Sequence, residues 1–167
     1  MIQQTPKRVQ EDKTSLQRML EIAAVLGLIF LFFLVFAYWS KLPNSIPSHY
    51  NAAGEPDGWS GKGTLLLLPI ISLVLYFGLS TLTRFPHLYN FPWKITEENM
   101  ERQFYLAQMM ILSLKAEIIW LFGYIEWKTI QTGLGKADGL GSSFIFIFLG
   151  VIFGSIGFYF VKAFKDK

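Results

Sequence analysis

Residues 22–40 read IAAVLGLIFLFFLVFAYWS, nineteen residues without a formal charge between Glu21 and Lys41. As a helix such a run covers roughly the 30 Å hydrocarbon core of a bilayer, and that length decides the fold class. Two further runs meet the same test: residues 63–83, GTLLLLPIISLVLYFGLSTLT, and residues 139–161, GLGSSFIFIFLGVIFGSIGFYFV. A fourth, residues 104–127, reads FYLAQMMILSLKAEIIWLFGYIEW and carries Lys115 and Glu117 near its middle. In chain order these runs predict an all-α integral membrane protein with four transmembrane helices and a structured extracytoplasmic loop between helices 1 and 2.

The composition agrees. Residues AVILMFWYC make up 52% of the chain and DEKR only 16%, against about 25% charged residues in an average soluble domain. Sixteen Phe, seven Tyr and five Trp are more aromatic surface than a soluble core of 167 residues hides easily, which argues against disorder and for lipid contact. There is no cysteine, so disulfides, thiol nucleophiles and thiolate metal sites are excluded. The net charge of +3 comes from residues spread over flanks and loops, a pattern that does not point to nucleic acid.

Those flanks carry a topology signal. Four Lys and Arg precede the first run (Lys7, Arg8, Lys13, Arg18), three separate the second from the third (Arg84, Lys94, Arg102) and three close the chain (Lys162, Lys165, Lys167). The other two loops hold two each, Lys41 with Lys62 and Lys128 with Lys136. The excess places both termini and the middle loop in the cytoplasm of a multi-pass protein of the cell membrane. Trp39, Trp59, Trp93 and Trp127 fall near span ends, where indoles favour the interface. A polar stretch precedes the first run, and the run exceeds the usual h-region of a signal peptide, so it is expected to remain as an anchor. Thr14-Ser15-Leu16-Gln17 reads as a capping box, so that helix 1 starts ahead of the apolar run. The chain then divides into a cytoplasmic segment 1–20, a two-span module 21–83 around the loop 41–63, a cytoplasmic loop 84–103, the third and fourth spans within 104–163, and a tail 164–167.

The loop KLPNSIPSHYNAAGEPDGWSGK, residues 41–62, holds three prolines and several glycines, which exclude a long helix or strand. Glu55-Pro56-Asp57-Gly58 fits a type I turn, and Asn51 with Gly54 supplies a second, tighter reversal. His49, Asn51, Gly54, Glu55, Asp57 and Lys62 are the candidate binding residues. Three readings are open. His49 and Asp57 are metal-ligand types, yet the spacing matches no closed zinc pattern, so no metal is expected. Alternatively Asn51 and Asp57 bond their own turns, Lys62 and Glu55 are solvated and His49 caps a buried carbonyl. In the third reading the loop binds a peptide, a lipid head group or a membrane-protein partner.

The run Leu42-Pro43-x-x-Ile46-Pro47-x-His49-Tyr50-Asn51-x-x-Gly54-Glu55-Pro56-Asp57-Gly58-x-x-x-Lys62, with a Leu-rich span after it, closely resembles the bacterial membrane family called domain of unknown function 1648. The segment Tyr89-Asn90-Phe91-Pro92-x-Lys94-Ile95-Thr96-x-Glu98-Asn99 resembles the stretch C-terminal to that motif in many relatives. The same module forms the N-terminal part of SdpI-like immunity proteins. That resemblance implies a protector of the producing cell against its own secreted toxin and a partner in signalling; it implies no catalytic residue.

Further along, Thr96 is expected to cap helix 3, with acids in its first turn and Ile95 and Met100 as the hydrophobic staple. Lys115 and Glu117 lie about 200° apart around that helix and cannot simply pair with each other. Lys115 is expected to balance an acid inside the bundle, with Glu117 reachable only across a helix or subunit contact and Glu126 disfavoured by its depth. Each costs about 2.5–3.5 kcal/mol in the bilayer and needs its own partner. The second span offers a stripe of Ser72, Tyr76 and Ser80, with Pro69 expected to kink it. Neutralisation is therefore sought from His87, a terminus or another subunit. The bland reading of the two charges is polar glue; the functional one is a small-solute or proton-coupled transporter using Lys115 and Glu117. On helix 4, Gly150, Gly154 and Gly157 with Ser155 form a small-residue face for packing against helix 3 or a homodimer. No hydrolase elbow, Walker loop, HExxH or dinucleotide fingerprint is present, so neither an enzyme nor a cofactor is expected.

The topology is testable directly because the chain lacks cysteine. In intact cells, an impermeant maleimide is expected to label Ser48→Cys and to spare Thr5→Cys; the opposite labelling would invert the orientation.

Overall fold

The computed structural model describes residues 14–167. The basic residues Lys7, Arg8 and Lys13 of the topology argument and the labelling position Thr5 lie outside them. Helix α1 (Ser15–Tyr38) leads into strands β1 (Ser45–Tyr50) and β2 (Pro56–Gly61), a 3₁₀ turn (Lys62–Leu66) and α2 (Leu67–Leu82). After a 3₁₀ turn at Pro86–Leu88 come α3 (Met100–Gly133) and α4 (Phe144–Lys165). Among the described residues four helices, Ser15–Tyr38, Lys62–Leu82, Met100–Gly133 and Phe144–Lys165, are long and apolar enough to cross a membrane. Their outward faces are oily: Phe36 is 88% exposed, Phe146 75% and Val74 66%. In water such a surface would be a large liability, whereas in lipid it costs nothing.

The capping box forms: Thr14 N–H donates to Gln17 Oε1 at 2.9 Å and Gln17 N–H to Thr14 Oγ1 at 3.3 Å. Helix α1 therefore starts well before the apolar run. It packs along α3 in parallel, because contacts advance together from Gln17 with Gln108 to Gly123 with Phe30. Close approach depends on Gly27, where a Cβ would come within 2.7 Å of Ile119 Cγ2. Trp120 Nε1–H donates to the Ala23 carbonyl at 2.9 Å, and its ring stacks on Phe30. Ala24, Leu28, Leu31, Ala116 and Ile119 fill the centre of this interface. A second cluster at one end joins Leu34 and Val35 to Leu42, Ile46, Leu65 and Ile130. At the opposite end Leu106 and Ala107 meet Tyr159 and Ala163.

Several expectations need correction. The loop is not irregular throughout, since β1 and β2 pair antiparallel and the all-α description gains a two-stranded sheet. The chain reverses at 51–54, and Pro56-Asp57-Gly58 runs extended in β2. Pro56 opens that strand, the place where a missing N–H is tolerated. Pro69 does not kink a continuous α-helix: it sits in the first turn of α2, where a missing N–H costs nothing, and the irregular part is the 3₁₀ turn ahead of it. Helix α3 begins at Met100 with Asn99 as its N-cap. Thr96 and Asn99 exchange side-chain bonds one turn earlier, so Thr96 caps the turn leading into the helix. The helix continues past Trp127, because Glu126, Lys128, Thr129 and Thr132 do not break a helix. It stops at a Schellman motif, with Gly135 at φ +69° and Lys136 N–H donating to the Gln131 carbonyl at 2.8 Å. Helix α4 starts only at Phe144. A Cβ at Gly150, Gly154 or Gly157 would meet nothing within 4 Å, so the three glycines make no close contact with α3, although Ser155 on the same face bonds Glu117 there.

Among the connections, Tyr89 sits between Phe91 and Phe104, and its buried hydroxyl has no hydrogen-bond partner. Burial pushes that hydroxyl up to about 12. Its folded value lies above the unfolded one, so the stability it contributes is present below about pH 10 and lost as pH rises toward 12. Thermal melts from pH 8 to 12 are expected to show a smaller alkaline loss in Tyr89→Phe than in wild type.

Candidate functional site

The hairpin is closed by its own side chains. Asn51 Oδ1 accepts from the N–H of Ala53 at 2.9 Å and of Glu55 at 3.0 Å, while Asn51 Nδ2 donates to Glu55 Oε2 at 3.0 Å. Gly54 takes φ +78°, which a side chain rarely adopts. Its carbonyl accepts from Leu140 N–H at 2.7 Å, and a Cβ on Gly54 would stand 2.5 Å from the Gly141 carbonyl oxygen. The glycines of the α3–α4 connection thus serve the hairpin tip, which is why that segment is turn and not helix. Tyr124 Oη–H holds the same connection by donating to the Leu140 carbonyl at 2.8 Å.

Register irregularities between Pro47 and His49 and between His49 and Tyr50 break the two-residue alternation of β1. Ile46 and Pro47 are consequently both buried, Ser48 and His49 both exposed, and Tyr50 half-buried. Ile46 and Leu42 reach the end of α3, within 3.3 Å of where a Gly133 Cβ would stand. The exposed side carries His49 Nδ1 at 2.5 Å from Asp57 Oδ1, with the side chains 73% and 44% exposed, and Ser48 Oγ–H donating to Ser60 Oγ at 3.0 Å. Gly58 opposite His49 leaves the room this pairing needs.

The six residues singled out in the loop therefore do not converge on one pocket. His49 pairs with Asp57 and caps no buried carbonyl. Asn51, Gly54 and Glu55 build the turn. Lys62 faces the other way, with Nζ donating to the Trp39 carbonyl at 3.5 Å and lying 5.5 Å from the Trp39 ring. Among the described residues no group of three or more His, Cys, Asp or Glu is placed to hold a metal.

Inside the bundle the two central charges have separate partners, as their angular separation demands. Lys115, fully buried, donates from Nζ to Glu21 Oε2 and to Ser80 Oγ, each at 2.8 Å, and lies 4.7 Å from the Tyr76 ring. Its counter-charge is thus Glu21, not Glu117, Glu126, His87, a terminus or another subunit. By charge alone Glu21 is the polar border of the first run, and only the start of α1 at Ser15 carries it into the helix. Glu117 Oε1 accepts from Ser155 Oγ at 2.5 Å, joining α3 to α4, while its Oε2 has no partner. Gln103, fully buried, donates to the carbonyls of Ala163 and Asp166 and accepts from Trp93 Nε1. An amide among charged neighbours gives no sequence signal for that role.

Sequence reasoning also misses a group beneath the hairpin. Tyr50 Oη and Thr129 Oγ1 are 2.9 Å apart, and Glu126 and Thr132, one helical turn to either side of Thr129, are buried. Burial pushes the Tyr50 hydroxyl above the ordinary tyrosine range; the neighbouring Thr129 and Thr132 hydroxyls lower it and the Glu126 charge raises it.

The four apolar helices among the described residues, with their oily exterior, are consistent with a multi-pass membrane protein. Residues 26–73, from α1 through the hairpin into α2, match the model of the family described as Domain of unknown function (DUF1648). Over 92 residues the chain is 30% identical to a protein of Archaeoglobus fulgidus described as uncharacterized, covering 46% of this chain and 50% of that protein. The chain thus spans about half the length of that relative. No solved structure matches.

A double-mutant cycle tests the interior pair. Lys115→Met removes the ammonium facing Glu21 and is expected to cost on the order of 3 kcal/mol. Adding Glu21→Gln is expected to recover most of that loss, while Glu117→Gln adds independently, as read by thermal stability in detergent.

Proposed function

We propose that this is a membrane-anchored recognition protein whose hairpin lies outside the cell membrane and binds a peptide through Ser48, His49, Asp57 and Ser60. The observation carrying the reading is the hairpin's division of labour: Ile46 and Pro47 are spent on the bundle, while a hydrogen-bonded imidazole and carboxyl and two hydroxyls stand exposed on a closed, glycine-fitted frame. A fixed polar face of this kind loses little conformational entropy on binding. The resemblance to SdpI-like immunity proteins makes a secreted toxin peptide the favoured ligand, with both termini cytoplasmic. The open face at Gly150, Gly154 and Gly157 supports close approach of a second copy.

A proton-coupled small-solute transporter is the second reading, favoured by the unpartnered Glu117 Oε2, whose hydrogen-bonded neighbour Ser155 lines, with Ser113 and mostly apolar residues such as Leu106, Met110 and Phe158, a cavity of about 270 Å³. Survival of cells challenged with the toxin of a secreting neighbour separates the two. Protection is expected with wild type and is lost in His49→Ala and Asp57→Asn at equal expression. Undiminished protection in both variants overturns the hairpin reading, and pH-dependent vesicle flux abolished by Glu117→Gln would put the transporter in its place.

A further inference from the structure

Between the hairpin and the end of α3 lies a buried group of oxygen atoms that neither reading uses. Glu126 is 2% exposed, Thr129 7% and Thr132 8%, and Tyr50 closes the group from β1 with its hydroxyl 2.9 Å from Thr129 Oγ1. Glu126 Oε1 and Thr132 Oγ1 are buried and have no hydrogen-bond partner. None of the ion pairs among the described residues includes Glu126. Two orphaned oxygens, one helical turn to either side of Thr129 and beside two hydroxyls that already touch, form a donor set without a recipient.

The chemistry of the set limits the occupant. Carboxylate and hydroxyl oxygens are hard ligands suited to hard cations, and soft or imidazole-seeking metals find nothing here. A divalent ion against one carboxylate would leave a net positive charge in a buried site, which is costly, whereas a monovalent ion cancels the charge.

We propose that Glu126, Tyr50, Thr129 and Thr132 form a binding site for a monovalent metal cation, which ties β1 to the end of α3. Three of the oxygens come from α3 and one from the hairpin, so an ion bound here holds the hairpin on its mount. The site does not depend on what the hairpin recognises, and its readout needs no partner.

Purified protein is melted in sodium, potassium and choline chloride at equal ionic strength. A saturable rise of roughly 2–4 °C in sodium or potassium over choline is expected. That rise disappears in Glu126→Gln and shrinks in Thr132→Val and Tyr50→Phe. The last two keep the site's shape while removing one oxygen, and carry the test if Glu126→Gln does not fold. Equal melting in all three salts, as a neutral Glu126 carboxylic acid would give, overturns the proposal. So does a cation increment that survives removal of the Glu126 charge.

Discussion

A buried ammonium, enclosed on every side by protein, sets the first condition on this fold. Lys115 is wholly enclosed, and its three donors find a carboxylate on α1 and a hydroxyl on α2 while its charge lies against a tyrosine ring. Because those partners sit on different helices, meeting the lysine's needs brings α1, α2 and α3 to one point. Lipid supplies no hydrophobic drive for helices to associate, so packing and polar ties must carry it. Here the small residues Gly27, Ala24 and Ala116 let the backbones close, and the Lys115 cluster makes one register favourable.

The same economy recurs toward each end. At one end Gln103 answers two terminal carbonyls of α4 and receives the Trp93 indole, so a single amide joins the middle connection, α3 and α4. At the other the hairpin rests on α3 through Ile46 and Leu42, and its tip is bonded to the α3–α4 connection by Gly54 and Leu140. Helix α3 is thus the central post of the bundle, and its length past the apolar run is what gives the hairpin a floor.

That extension shows why hydropathy misjudges the helix. Counting apolar residues stops at Trp127, yet Lys128 to Gly133 continue the helix because only a breaker ends one, and Gly135 is the first to act as one. By hydropathy Glu126 belongs to a surface near a span end; the hairpin covers it. Glu21 looks like a border for the same reason, and the capping box at Thr14, legible in the sequence, is the feature that places it inside α1. In the loop, the Asn51 and Gly54 reversal is legible from turn chemistry, but its dominance over Glu55-Pro56-Asp57-Gly58 comes from strand pairing, a non-local matter.

Sequence alone determined the number of apolar helices, the start of α1, the separate fates of Lys115 and Glu117, and the presence of a shaped polar loop between the first two helices. Those features depend on length, local capping and helical angle, which involve residues near one another in the chain. Tertiary structure decided that Lys115 meets Glu21 across 94 positions, that His49 faces Asp57 in the open, and that Glu126 lies under Tyr50. Each of those depends on how far one helix slides along another and on the two irregular steps of β1. A change of one residue in either would give every polar group here a different neighbour while leaving the local pattern untouched.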